Sequence, residues 1–551
     1  MVCIRWARDT AQGHVVVHHG VLTCAPTHER LRASRCTRRR HFPRLRSMVE
    51  RQDVWTLSDQ DPFHPTILWY ERAVRAMRML DSPSMANPRS WRHLAAVHEA
   101  IIEDSPDPWP AGATWDECQH HSWFFLPWHR IYLTHFERIV RAVVLEMGGP
   151  ADWALPYWNY SDPTRTRARG LPPAFLRPQL ADGSANALFT SARNAPINAG
   201  GLLSVGAVNA MTSLTAPAFV LAPNAPSNSA FGGPRTPRQH AGTEQGAVED
   251  TPHGSVHGAV GGFGGWMSRF DTAALDPIFW LHHCNIDRLW EVWRNVAPTR
   301  QNPSDSAWQT MRFEIGSGPD RTTLTVGDVL DPSAPPLEYR YSDISAPSAV
   351  LVAANAPAPM GMPMGDVSGP STNLALAELV GVTDSAIPLQ ARPSGAVVSV
   401  QPAVGPQALD TPPAAQRLLL KIENVRGQRP VAPQYIVRLN VASTAPSAVL
   451  AAHEVGRITL FGVPEASRPT GMHGDAGRTY VFDITDLARQ LRAAGQWDER
   501  ELRITFTPDF GVDPDTAGEG DPQMVASVAA AAIAQLPESD VAVGRVGLYR
   551  A

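Results

Sequence analysis

The chain carries nineteen histidines, and several stand close enough in sequence to share one chemistry. The densest group is Cys118-Gln119-His120-His121-Ser122-Trp123-Phe124-Phe125-Leu126-Pro127-Trp128-His129-Arg130, which joins a thiol, three imidazoles and a wall of aromatic side chains. Imidazole suits copper, zinc, iron and nickel, so the stretch reads as a metal site, with an aromatic core turn as the plain alternative. His253 and His257 stand four apart, and on a helix both rings project from one face, the spacing used to grip a metal. Gly254 follows His253 where the zinc-protease motif needs Glu, which weakens that reading. His282 and His283 are adjacent and on a helix point about 100° apart, so one of them is expected in a shared site. Asp287, four residues after His283, is expected to orient that ring. His98 is expected on the inner face of a helix, where a hydrogen-bonded core histidine is the competing reading.

Five helical patterns must position these groups. Pro65 to Leu80 repeats apolar residues at three and four and stops at Asp81-Ser82-Pro83. A second helix is predicted from Ser90 through Ile102, carrying Trp91, Leu94, Val97 and His98 on one face. Pro127 suits the first turn of a third, which continues through Ile131, Phe136 and Val143 to Gly148-Gly149-Pro150. His253 and His257 share a fourth. The fifth opens on Asp276 as N-cap with Pro277 at its first position. Residues 161–247 show no sustained period, and a loop of that length is usually functional or mobile.

At 551 residues the chain exceeds one ordinary domain. No apolar run approaches the ~20 residues of a spanning helix, and the net charge of -5 gives no nucleic-acid footprint and no polybasic membrane patch. Residues 1–47 differ from the rest, with ten arginines against Asp9 and Glu29 and three of the five cysteines. They lack the apolar core of a secretory signal, so a cytoplasmic location is the default expectation. This segment reads as a basic, disordered extension or a mis-called start, with Met48 as the expected functional start. Residues 346–415 turn to Ala, Pro, Ser and Val and read as a linker, although Met360-Gly361-Met362-Pro363-Met364 holds soft sulfur that favours Cu(I). From 416 to 551 short runs with a period of two predict an all-β sandwich, interrupted by one short helix near Leu487 and Leu491.

The His120–Arg130 stretch, together with Asp276-Pro-Ile-Phe-Trp-Leu-His282-His283-Cys-Asn-Ile-Asp287-Arg-Leu-Trp, resembles the two copper motifs of the tyrosinase and polyphenol oxidase family of type-3 dicopper proteins. Tyr339-Arg340-Tyr341 resembles the tyrosine motif that closes the oxidase domain in plant-type members. The resemblance implies a mainly α dicopper domain over 48–345, with a four-helix bundle core and long loops, followed by the sandwich, which can shield the site and keep the enzyme latent. It implies two copper ions and O2 as co-substrate. His98, His120 and His129 would hold the first copper, with His93 as the rival of His98, and His253, His257 and His283 the second. His282 would be an outer neighbour.

Fungal members carry a Cys-x-His thioether, which implies a Cys118–His120 crosslink. Glu249, with Glu244 as its rival, resembles the acidic residue that holds a water near the second copper. Gly254 stands where many tyrosinases have Asn, which points toward oxidation of o-diphenols or o-aminophenols over hydroxylation of monophenols. Phe270 matches the aromatic residue taken to overhang the second copper. A small phenol and O2 are the expected partners. A haemocyanin-like O2 carrier and a copper-less relative are the alternatives.

Overall fold

The computed structural model describes residues 48–355, 377–400, 417–469 and 476–551. The basic segment 1–47 and the run Met360–Met364 lie outside them. Five helices position the histidines: α1 (Pro65–Arg78), α2 (Trp91–Ala96), α3 (Phe125–Glu146), α4 (Ser255–Gly261) and α5 (Pro277–Val296). His129 lies on α3, His257 on α4, His282 and His283 on α5, and His98, His120 and His253 on the turns beside them. Helices α1, α3, α4 and α5 form the bundle: α1 packs on α3, α3 on α5, and α5 on the turn Glu249–Gly254 that feeds α4. Their starts follow the sequence signals. Pro65 and Pro277 each lie in a first turn, and the Asp276 carboxylate accepts from the Ile278 amide at 3.1 Å. Phe136 of α3 and Trp280 of α5 stack face to face in the core between them. Among the described residues no helix is long and apolar enough to cross a membrane.

Helix α2 is shorter than its periodicity predicts. The amides of Asp116 and Glu117 donate to the carbonyls of Ala96 and Val97, each at 3.2 Å, and Asp116 Oδ1 accepts from the Ala100 amide at 2.6 Å. These distant partners take over the groups that would have continued the helix. His98 therefore sits in the turn after α2, not on the helix face expected for it.

The C-terminal strands are β1 (Glu378–Val382), β2 (Ile387–Pro388), β3 (Ser394–Val400), β4 (Leu418–Arg426), β5 (Gln434–Leu439), β6 (Glu454–Thr459), β7 (Arg478–Asp483), β8 (Glu501–Asp509) and β9 (Ala542–Arg550). They form one antiparallel sheet in the order β6-β5-β8-β3-β1-β9-β4-β7, with β2 on β9. Sheet curvature brings the two ends together, and Tyr480 on β7 donates its hydroxyl to the Thr459 carbonyl on β6. Strands β1 to β3 come from the segment read as a linker, which also holds a helix over Ser348–Asn355. Their Val, Ala and Ser content carries little alternation, and pairing with β8 and β9 decides their state. A second unpredicted element is α6 (Pro522–Ala534), whose Ala-rich sequence has no polar face to set a period.

Asp287 was expected to orient His283, and it does not. Its carboxylate takes the Arg130 and Arg51 guanidiniums and the hydroxyls of Tyr339 and Tyr341. Two buried cations outcompete a neutral imidazole for a buried carboxylate. Burial pushes the Asp287 carboxyl up, but Arg130 and Arg51 outweigh it and hold the group below its ordinary value. Glu137 takes the other side of Arg51, so α3, α5, the strand Val49–Arg51 and its parallel partner Tyr339–Tyr341 meet at one network. Asp287→Ala leaves two guanidiniums buried without their carboxylate and should cost about 3–5 kcal/mol of stability in denaturant unfolding. A loss below about 1 kcal/mol would contradict this account of the bundle.

Candidate metal centre

The bundle gathers six imidazoles into two groups. His98, His120 and His129 have ring centroids 5.2 to 5.7 Å apart, and His253, His257 and His283 stand 4.7 to 5.3 Å apart. The groups face each other: His129 stacks on His283 at 4.5 Å, and His120 lies 5.7 Å from His253. All six are buried.

Four of the six rings are oriented by the backbone. Nδ1 of His98, His129, His253 and His257 donates to the carbonyls of Phe270, Phe125, Glu249 and Met267, at 2.8 to 3.0 Å. This fixes the tautomer and turns Nε2 inward as an acceptor. Nε2 of His98, His129 and His253, both nitrogens of His120 and Nδ1 of His283 are buried without a hydrogen-bond partner. His257 and His283 meet Nε2 to Nε2 at 3.1 Å. Burial pulls all six down in pKa, His98 to about 4 and His257 to about 3. The rings are therefore neutral at pH 7, which is the form that binds a metal. Unpartnered, neutral, convergent nitrogen donors fit copper ions.

The structure sorts the remaining candidates. His93 turns away, with Nδ1 on the Met85 carbonyl and its ring edge on Trp115. His282 lies closer than an outer neighbour: its ring is 4.8 Å from His257, its Nε2 has no partner, and its Nδ1 meets the Tyr160 hydroxyl at 3.1 Å. His283 differs from it in also facing the first group. His121 points elsewhere, its Nδ1 accepting from the Gly242 amide. Cys118 Sγ lies 3.0 Å from His240 Nδ1, and its donor atom also falls within 4.8 Å of those of His98 and His120.

Glu249 sits at the edge of the second group. Oε1 accepts from the His121 amide at 2.6 Å, and Oε2 is buried without a partner. Burial raises its carboxyl to about 8, against the opposing pull of that amide and of Arg478. Glu244 faces Asn224 and Lys421 instead. Phe270 differs from its expected place, for it lies 4.2 Å from His120 and 5.9 Å from His98, over the first group. Its own carbonyl, bound to His98, holds it there.

Sequence reading missed two residues. His240 links Cys118 to Glu99, with Nε2 2.9 Å from Glu99 Oε2, and it comes from a loop with no period to mark it. Phe461, on the turn after β6, stacks on His257 at 4.2 Å and lies 4.8 Å from Phe270. It belongs to the sandwich, and its role is steric, so a search for titratable groups passes over it. Gly462 beside it has φ +82°, and a Cβ there would crowd His121 and Phe270 at 3.1 Å. Only glycine lets the turn reach this deep.

Comparison with known proteins agrees with this geometry. The common central domain of tyrosinase matches residues 88–296, and a domain of unknown function (DUF7868) matches residues 376–517. Tyrosinase HcTyr1 from Hahella sp. (strain CCB-MM4) is 32% identical over 492 residues, 85% of this chain and 97% of that protein. Catechol oxidase B from Solanum tuberosum is 32% identical over 264 residues, 44% of this chain and 41% of its own length. In structure the chain is similar to latent apple tyrosinase, with TM-score 0.54 at 20% identity over 92% of this chain and 97% of that one. A latent aurone synthase gives 0.55 at 19% identity over 92% and 90%. The two solved structures bear on the fold, while the match to HcTyr1 along nearly its whole length bears on descent: the chain belongs to the tyrosinase and polyphenol oxidase family of type-3 copper proteins, which oxidise phenols at a pair of copper ions with O2 as co-substrate.

Proposed function

We propose that this chain oxidises o-diphenols, with o-aminophenols as close relatives, to o-quinones while O2 is reduced to water. His98, His120 and His129 hold one copper in this reading, and His253, His257 and His283 the other. The observation that carries it is the set of six buried, neutral imidazoles, of which His98, His120, His129 and His253 keep an Nε2 with no partner and His257 and His283 meet Nε2 to Nε2. Copper bound there supplies electron transfer between the phenol and O2. The chain supplies orientation, a dry pocket and a proton acceptor. Glu249 suits that last role, because burial raises it to about 8 and one of its oxygens is unpartnered. A group with a pKa near the working pH is the best suited to take and return a phenolic proton.

Gly254 supports diphenols over monophenols. It offers no amide to help Glu249 hold a water. A Cβ at this position would touch the sandwich's Thr459 Oγ1 at 3.4 Å and Phe461 Cβ at 3.5 Å, ordinary contact distances, so the docked sandwich borders the place where a longer side chain would lie. Phe461 supports a restrained, latent state, since its ring covers the face of His257 that a substrate would approach.

Elemental analysis of reconstituted protein checks the ligands. His120→Ala and His283→Ala should each lower copper from about two to about one per chain, whereas His282→Ala should leave about two. Loss of copper in the His282 variant with retention in the His283 variant would reverse that assignment. For activity, copper-loaded full-length protein should oxidise 4-tert-butylcatechol at least about tenfold faster than tyramine, a difference of ~1.4 kcal/mol in barrier. Equal rates would make it a monophenol hydroxylase. Phe461→Ala should raise kcat/KM for the catechol by about tenfold or more by uncovering His257. Reversible O2 absorbance with no turnover of either phenol, in wild type and variant alike, would instead make the chain an O2 carrier.

A further inference from the structure

Phe461 has a second neighbour. One face of its ring lies on His257, and the ring also walls a cavity of about 1060 Å³ between the oxidase helices and the sandwich. The glycine-rich segment Gly261–Gly265 bounds the cavity on the oxidase side, and Gln428–Pro433 on the sandwich side. Helix α6 closes one flank with Ala529, Ala532 and Ile533. At Gly264 a Cβ would meet nothing within 4 Å, whereas at Gly258, Gly261, Gly262 and Gly265 it would collide with neighbouring atoms, so these four glycines serve close packing and only Gly264 adjoins open space. Pockets for drug-sized ligands run from ~300 to ~1,000 Å³, so this volume far exceeds what one phenol ring needs.

Helix α6 points the same way. It has no charged residue, and among its described side chains only Val525 is buried. Met524 and Ile533 remain 50% and 36% exposed. A helix that is apolar on every side is ordinarily buried, so this one presents apolar surface that the protein does not cover.

The sandwich is also poorly suited to lift away. Val512–Ala517 pairs with Gly201–Leu203 of the oxidase domain. The Ser204 amide donates to the Gly511 carbonyl at 2.8 Å and the Gly518 amide to the Gly200 carbonyl at 2.9 Å. On the other side the Thr479 amide donates to the Thr243 carbonyl, and the Ser227 amide to the Val481 carbonyl, both at 2.8 Å. Removing the domain breaks all of these backbone bonds, whereas turning one phenylalanine ring into an adjoining cavity breaks none.

We propose that this cavity is a substrate subsite built jointly by the two domains. Phe461 swings into it, and the diol ring of the substrate takes the vacated place beside His257. A second ring system of the same substrate lies in the cavity against α6, with Arg269, Arg429 and Arg468 on the lining to meet its polar groups. The preferred substrates are accordingly polycyclic diphenols, and one-ring catechols are the poorer ones. For the reacting ring, this rests on the oxidase function proposed above.

Two measurements test it with catechin as the polycyclic probe and pyrocatechol as the one-ring probe. Calorimetric titration of copper-free full-length protein should show catechin binding. Ala532→Trp, which fills the cavity flank, should weaken it about tenfold, and Ala530→Trp, on the exposed side of the same helix, should not. In copper-loaded enzyme, Ala532→Trp should lower the ratio of kcat/KM for catechin over pyrocatechol about tenfold, with the Ala530→Trp ratio that of wild type. An unchanged ratio and unchanged binding in Ala532→Trp would overturn the subsite, as would equal loss for both probes. Binding of catechin to copper-free protein without oxidation of either probe by the loaded enzyme would overturn the oxidase function and leave the subsite standing.

Discussion

A neutral imidazole buried in a protein keeps one nitrogen that donates and one that accepts, and an acceptor left dry and unpaired costs roughly 1–3 kcal/mol. The bundle holds six such rings within a few ångströms of one another and gives four of them an outward partner, the carbonyls of Phe125, Glu249, Met267 and Phe270, while His98, His120, His129 and His253 each keep an Nε2 with none. The inward nitrogens are therefore a standing penalty that only a shared electrophile relieves. The same burial that creates the penalty keeps the rings unprotonated, because a charged imidazolium in this place would be costlier still. For His98, His129, His253 and His257, orientation, tautomer and protonation state are all in place before a metal arrives.

That concentration of unsatisfied groups has to be held by something stable, and residues within one turn of the ligands on the same helices supply it. Asp287 lies one turn beyond His283 on α5, and its carboxylate gathers Arg51, Arg130, Tyr339 and Tyr341 from three other parts of the chain. Arg130 follows His129 directly, so one ion-pair network locks the two helices that carry His129 and His283 against each other. The second domain completes the enclosure from the other side. Thr459 donates to Asp250 at 2.6 Å, and Arg478 holds the Phe461 carbonyl at 3.1 Å, so the turn that enters the pocket is tied at both ends.

Much of this was legible in the residues. Asp276-Pro277 and Pro127 mark helix starts by local chemistry, and the His253/His257 spacing brings both rings together although only His257 lies on α4 and His253 sits in the turn Glu249–Gly254 that feeds it. Contacts between distant segments were not legible. The carbonyls of Ala96 and Val97 go to Asp116 and Glu117, which ends α2 early and leaves His98 in a turn. Asp287 is one helical turn from His283 in sequence, yet its partners come from residues 51, 130, 339 and 341. Strands β1 and β3 depend on pairing with β9 and β8, and α6 has no period because nearly every position is apolar. His240 and Phe461 act through place alone, one in an aperiodic loop and one in another domain. Phe270 was expected over the second trio of histidines and lies beside His120 and His98 of the first, where its carbonyl binds His98.

The central claim is that two coppers occupy the two trios of histidines. Crystallographic data collected from copper-reconstituted protein on both sides of the copper absorption edge test it most directly. The account predicts two anomalous peaks, one bounded by His98, His120 and His129 and the other by His253, His257 and His283. A single peak, or a second peak bound by His282 with His283 turned away, would contradict it.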